Sequence, residues 1–131
     1  PVVNKNLPTN RWTSEVPFRE SELGIQWFAK PVMDSRELNL NFPFIDEEKL
    51  YGSQPSRYLS HLIGHEGPGS IMAYVKSKGW ANSLSAGAYP ICPGTPGIFD
   101  VQIRLTEEVC RKSHCFIALK SFFRVRWLIV S

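Results

Sequence analysis

No stretch of this 131-residue sequence approaches 18 consecutive apolar residues, so no segment reads as a membrane-spanning helix. Cysteine is scarce: Cys92, Cys110 and Cys115 are an odd number without dense spacing. That pattern excludes a secreted disulfide scaffold and fits free thiols in a reducing, intracellular and cytoplasmic compartment. An excess of one charge is lacking too. Fifteen Lys+Arg stand against twelve Asp+Glu, a net charge of +3. The cations are scattered apart from Arg111-Lys112 and Arg124/Arg126. So weak a field points neither to nucleic acid nor to an anionic membrane surface. The opening Pro1-Val2-Val3-Asn4 has neither an initiator Met nor a charged region before an apolar core. It does not read as a signal peptide, and the sequence is expected to be a piece of something longer. What is present is ordinary: 43% hydrophobic and 21% charged residues, room for one ordered domain, and no repeat or low-complexity tract.

Along the chain, residues 1–22 are polar and punctuated by Pro1, Pro8 and Pro17, with Trp12 and Phe18 as isolated anchors. They read as an extended lead-in. Residues 25–32 read as a first strand, ended near Pro31. Residues 36–42 alternate, with Leu38, Leu40 and Phe42 on one face and Glu37, Asn39 and Asn41 on the other, which predicts a half-buried strand. The two strands together suggest a hairpin. After the polar connector at Asp46 the period changes. Tyr58, Leu59, Leu62 and Ile63 mark a short amphipathic helix ending at or soon after Gly64. Ser70 is placed to cap a second helix whose apolar side is Ile71, Met72, Tyr74 and Val75, and Gly79 is placed to end it. Trp80–Ala88 reads as a strand poor in bulk, with Leu84 its single large aliphatic residue. After the loop Pro90–Gly97, residues 98–105 alternate again, with Phe99, Val101, Ile103 and Leu105 inward. Thr106-Glu107-Glu108 reads as a helix start. Strand pairs separated by helices predict an α+β fold: a mostly antiparallel sheet with helices packed on one face.

The most unusual segment is His61-Leu-Ile-Gly-His-Glu-Gly-Pro-Gly-Ser70. His61 and His65 stand four apart, the spacing that sets two imidazoles on one helical face. A zinc peptidase helix needs a glutamate between them, as H-E-x-x-H or H-x-x-E-H. Here Glu66 follows the pair, and no third ligand is evident. The bland reading is a polar helix end in which His65 and Glu66 satisfy backbone groups near the turn. On the same footing Gly67-Pro68-Gly69 is a corner between helices, and Trp80, Tyr58 and Tyr74 are packing residues. Cys110, His114 and Cys115 are one ligand short of a zinc knuckle.

The run from Arg57 to Ser70, continued by Lys76-Ser-Lys-Gly-Trp80 and Asn82, resembles the M16 family of inverted-zincin peptidases, the family of insulin-degrading enzyme and fungal pheromone-processing peptidases. Pro17-Phe18, Leu38–Phe44 before Asp46, and Asp100–Glu108 share the resemblance, which therefore covers about residues 1–108. In that family the zinc-binding H-x-x-E-H lies in the first homologous domain, and this sequence contains none. The resemblance implies the front of the second, non-catalytic domain, an incomplete unit over 23–108 preceded by the lead-in 1–22. It implies no metal or cofactor in this chain, and zinc in the parent enzyme. It also implies an exosite that anchors the N-terminal part of a peptide substrate beside an edge strand. By position that exosite would comprise His61, Gly64, His65 and Glu66 on the loop side, with Leu84, Ser85, Ala86 and Ala88 as the edge strand. A strand of small residues lets another backbone approach, and Glu66 suits a peptide α-ammonium. The family carries more glycine along this strand, and its loop after Ala88 is less proline-rich.

After Glu108 the resemblance stops. Residues 109–131 form a divergent tail in which Phe122–Val130 is aromatic and β-branched, better suited to a strand than to a surface helix. The implied partners are peptides and the remaining domains of the parent peptidase. The alternative is a stand-alone peptide-binding or adaptor module using the same edge strand.

Overall fold

The computed structural model describes residues 3–14, 16–33, 35–107 and 109, together with the backbone of 128–130. Two strands carry the period-two pattern most cleanly, and they form the centre of the sheet. They are β2 (Glu37–Phe44) and β4 (Gly97–Leu105), antiparallel from Glu37 opposite Arg104 to Phe44 opposite Gly97. Leu38, Leu40, Val101 and Ile103 meet on one face, each at most 2% exposed. Burying such side chains contributes roughly 1.5–3 kcal/mol each. β3 (Ala81–Tyr89) lies antiparallel on the far side of β4, with a register shift between Ala81 and Ser83. The short β1 (Gln26–Trp27) and β5 (Leu128–Val130) complete the order β1-β5-β2-β4-β3. All pairings are antiparallel except β1 with β5.

Two helices lie against β3: α1 (Pro55–Ile63) and α2 (Ile71–Ser77). Proline in the first turn of α1 removes a donor that has no partner there anyway. The α2 helix starts as the sequence predicts, with the Ser70 hydroxyl accepting the Ala73 N–H at 3.0 Å. It ends at Gly79, whose φ of +68° disfavours any side chain. Met72 and Val75 of α2 are buried against the sheet, joined by half-buried Ile63 from α1 and by Trp80. Apart from β1, the architecture is the expected α+β fold, an antiparallel sheet covered on one face by helices.

Two expectations fail. The strand expected over 25–32 is only two residues long, and no hairpin joins it to β2. β5 lies between them, pairing Ile129 with both Gln26 and Leu40, so a segment remote in sequence takes the place of the neighbouring one. Tyr58 is 65% exposed and does not pack in the core; α1 turns that position outward. Helix begins at Glu107 as the sequence predicts, and the Thr106 hydroxyl donates to the Gly79 carbonyl at 2.6 Å, tying the end of β4 to the end of α2. Cys110, His114, Cys115 and Phe122–Trp127 lie outside the described residues, while 128–130 is a strand, in keeping with the β reading of the tail.

Candidate functional site

Among the described residues β3 pairs with β4 alone, which places it at an edge of the sheet. Its residues alternate between two faces. Leu84, Ala86 and Ala88 point toward the helices, opposite Ile103, Val101 and Phe99 of β4, and pack against the core. Ser85 is exposed on the other face, as are Ser83 and Tyr89. An edge strand directs alternate N–H and C=O groups outward, where another extended chain can pair with them. From Ala81 to Ala88 no side chain larger than Leu84 stands in the way.

On the loop side, His61 sits in the last turn of α1, and its ring is 6.0 Å from that of His65. Gly64 caps the helix with its N–H on the Ser60 carbonyl, and a Cβ there would come within 3.0 Å of that oxygen. The His65 ring folds back over Gly67, where any Cβ would overlap its Nε2. A side chain at 67 would have to push the His65 ring aside. Gly69 (φ +83°) and the Ser70 N–H donating to the Gly67 carbonyl complete the turn into α2. His65 and Glu66 are exposed, and among the described residues neither hydrogen-bonds a backbone group of the turn. The expectation that they satisfy the turn fails, because glycine conformations and the Ser70 cap close it without them.

The two halves of the expected site are thus arranged differently. His61 and His65 stand side by side, and Leu84 to Ala88 form a row. The packing of α1 on β3 links the halves. Beyond them Trp80 packs as expected of core, half-buried and meeting the Tyr74 ring edge-on at 6.1 Å, whereas Tyr74 itself is exposed, against the expectation that it packs. The Lys78 ammonium lies 5.7 Å from the centre of the same Tyr74 ring. Sequence reasoning missed Gly87 and Tyr89. The strand runs one residue further than expected, and the Tyr89 hydroxyl lies over Gly87, 3.3 Å from where a Cβ would stand. The alternation Ser83-Ser85-Gly87-Tyr89 was the available signal. Behind this pair, on β4, burial raises the Asp100 pKa above the usual carboxylate value, partly countered by a hydrogen bond from Gln102.

The histidines do not fit a zinc site. Zinc takes at least three protein ligands, with nitrogen at about 2.1 Å. No three His, Cys, Asp or Glu side chains that could hold a metal come together among the described residues. No helix among them is long and apolar enough to cross a membrane.

The family profile described as the Peptidase M16 inactive domain matches residues 4–125. The chain belongs to the M16 peptidase family, as its inactive domain. Human insulin-degrading enzyme is 44% identical over 107 residues, which is 82% of this chain and 10% of that protein. The A-factor-processing enzyme of Saccharomyces cerevisiae is 47% identical over 80 residues, 61% of this chain and 8% of that protein. The crystal structure of pitrilysin superposes on 66% of this chain and 9% of its own, with a TM-score of 0.56 at 23% identity, a likeness of fold. The M16 chain described here spans about a tenth of the length of the curated relatives it matches.

Proposed function

We propose that this M16 chain is a non-catalytic, substrate-anchoring segment of a zinc metalloendopeptidase. It holds the N-terminal part of a peptide while another domain carries out hydrolysis. The supporting observation is the position and composition of β3: a sheet edge in which six of nine residues are Ala, Ser or Gly. The peptide lies along β3 as an added strand. Main-chain hydrogen bonds give affinity with little demand on sequence. The exposed Glu66 carboxylate receives the peptide's α-ammonium group, and His61, Gly64 and His65 wall that end. When bound in the parent, zinc supplies the activated water; this chain contributes binding and orientation. It works in a reducing interior compartment, where Cys92 stays a free thiol.

Backbone-methylated peptides test this reading directly. A nine-residue fluorescent peptide is compared with two versions N-methylated at alternate residues, in one register or the other. Strand addition predicts that one register abolishes binding and the other leaves it nearly intact, because alternate N–H groups face the protein. Equal tolerance of both registers would overturn it.

A further inference from the structure

Where β3 ends, the surface opens into a cleft of about 520 Å³. Ala88 belongs to both strand and cleft. The walls are apolar: Phe44 and Ile45 leaving β2 on one side, Tyr89 and Ile91 leaving β3 on the other. The remaining side is the acidic turn Asp46-Glu47-Glu48. Backbone donors hold two of its carboxylates in place. The Ser56 N–H donates to Glu47 Oε1 at 2.6 Å, and the Glu48 N–H donates to Asp46 Oδ1 at 3.0 Å. Their second oxygens take no further hydrogen bond among the described residues.

The chain itself shows what suits this rim. The Arg11 guanidinium grips Glu48 with both terminal nitrogens, Nη1 to Oε2 at 2.6 Å. The next residue, Trp12, donates its N–H to the Pro93 carbonyl at 3.2 Å, and Arg11 and Thr13 lie against Gly94. A segment carrying an arginine therefore already docks on this rim. It uses one main-chain hydrogen bond and one guanidinium–carboxylate pair. Among the described residues Arg11 and the neighbouring Lys49 stand against three carboxylates, so the rim keeps an excess of negative charge.

We propose that this cleft is a side-chain subsite for an arginine or lysine of the peptide laid along β3. The inference rests on the edge-strand reading. The aliphatic stem lies against Ile45, Tyr89 and Ile91, and the cationic head meets Asp46 and Glu47. Apolar walls and an acidic end together select a long basic side chain over a purely apolar one.

The test compares two nine-residue fluorescent peptides, identical except that one carries arginine and the other citrulline, its neutral isostere, binding to the full chain. The arginine peptide is expected to bind about tenfold tighter at low salt, with the advantage shrinking as salt rises. The double variant D46N/E47Q retains oxygens that can accept the two backbone N–H groups. It should abolish the arginine advantage and leave the citrulline peptide's affinity unchanged, with an unaltered thermal melt. Equal affinities in the unmodified chain, or an arginine advantage that survives D46N/E47Q, would overturn the subsite. N-methylation separates it from the strand reading. An arginine advantage insensitive to methylation register keeps the subsite and removes strand addition. Absence of binding by either peptide removes both.

Discussion

β3 and β4 are both nine residues long and hydrogen-bonded to each other, yet they have opposite roles. β4 has a partner on each side and buries every second side chain from Gly97 to Leu105. Among the described residues β3 has one partner and buries only Ala81 and Leu84 outright. Neighbouring strands in one sheet thus divide the work: one carries the core and the other leaves its outer backbone approachable. Large side chains make a strand stable and small ones make it accessible, and one strand cannot maximise both.

The sharpest way to break this contrast is to truncate one side chain in each strand. Ile103→Ala removes a side chain that is 1% exposed, and should cost about 2–5 kcal/mol in urea unfolding. The same experiment on Ser85→Ala in β3 should stay within about 0.5 kcal/mol of the parent. Comparable losses would mean that β3 is as structural as β4. Between these extremes lies the helical layer resting on β3. Ser70→Ala removes the hydroxyl that caps α2 and should cost about 1 kcal/mol, read as a lower melting temperature.

A pH series probes the polar face of β4. Asp100 has its pKa raised in the folded chain, chiefly by burial. The folded state therefore holds this proton more tightly than the unfolded state. Stability falls as pH rises from the ordinary carboxylate value through the raised one, and the loss persists above it. Asp100→Asn should stabilise the chain at neutral pH, and its advantage should fade toward the acid side of that window. An advantage that grows on acidification would contradict the assignment. The smallest expected effect is catalytic. With zinc added, a fluorogenic peptide should show no chelator-sensitive hydrolysis, since the sequence lacks H-x-x-E-H.

What the sequence revealed follows the range of the interactions. β2 and β4 were legible because their alternation is local, and the boundaries of α2 were legible because Ser70 and Gly79 act within one turn. The pairing of β1 was not legible, because its partner Ile129 lies beyond every local signal, and proximity in sequence suggested β2 instead. The low bulk of β3 was visible from residue types. Its edge position depends on the strand order. At the loop, the identities of His61 and His65 were plain, whereas the folding of the His65 ring onto Gly67 is a three-dimensional fact. The cleft was hidden for the same reason, since its walls come from two strand ends more than forty residues apart, at Phe44 and Tyr89.

The interposed β5 has a consequence for how the chain assembles. The β3–β4 hairpin closes a short loop around the Cys92–Thr95 turn, where the Thr95 N–H and hydroxyl both donate to the Cys92 carbonyl. β1 instead waits on a segment about a hundred residues away, and closing so long a loop is entropically slow. During synthesis the ribosome has therefore already released β2, β4 and β3 before β1 can find its place. The half of the sheet that offers its edge to a guest strand can form before the other half exists.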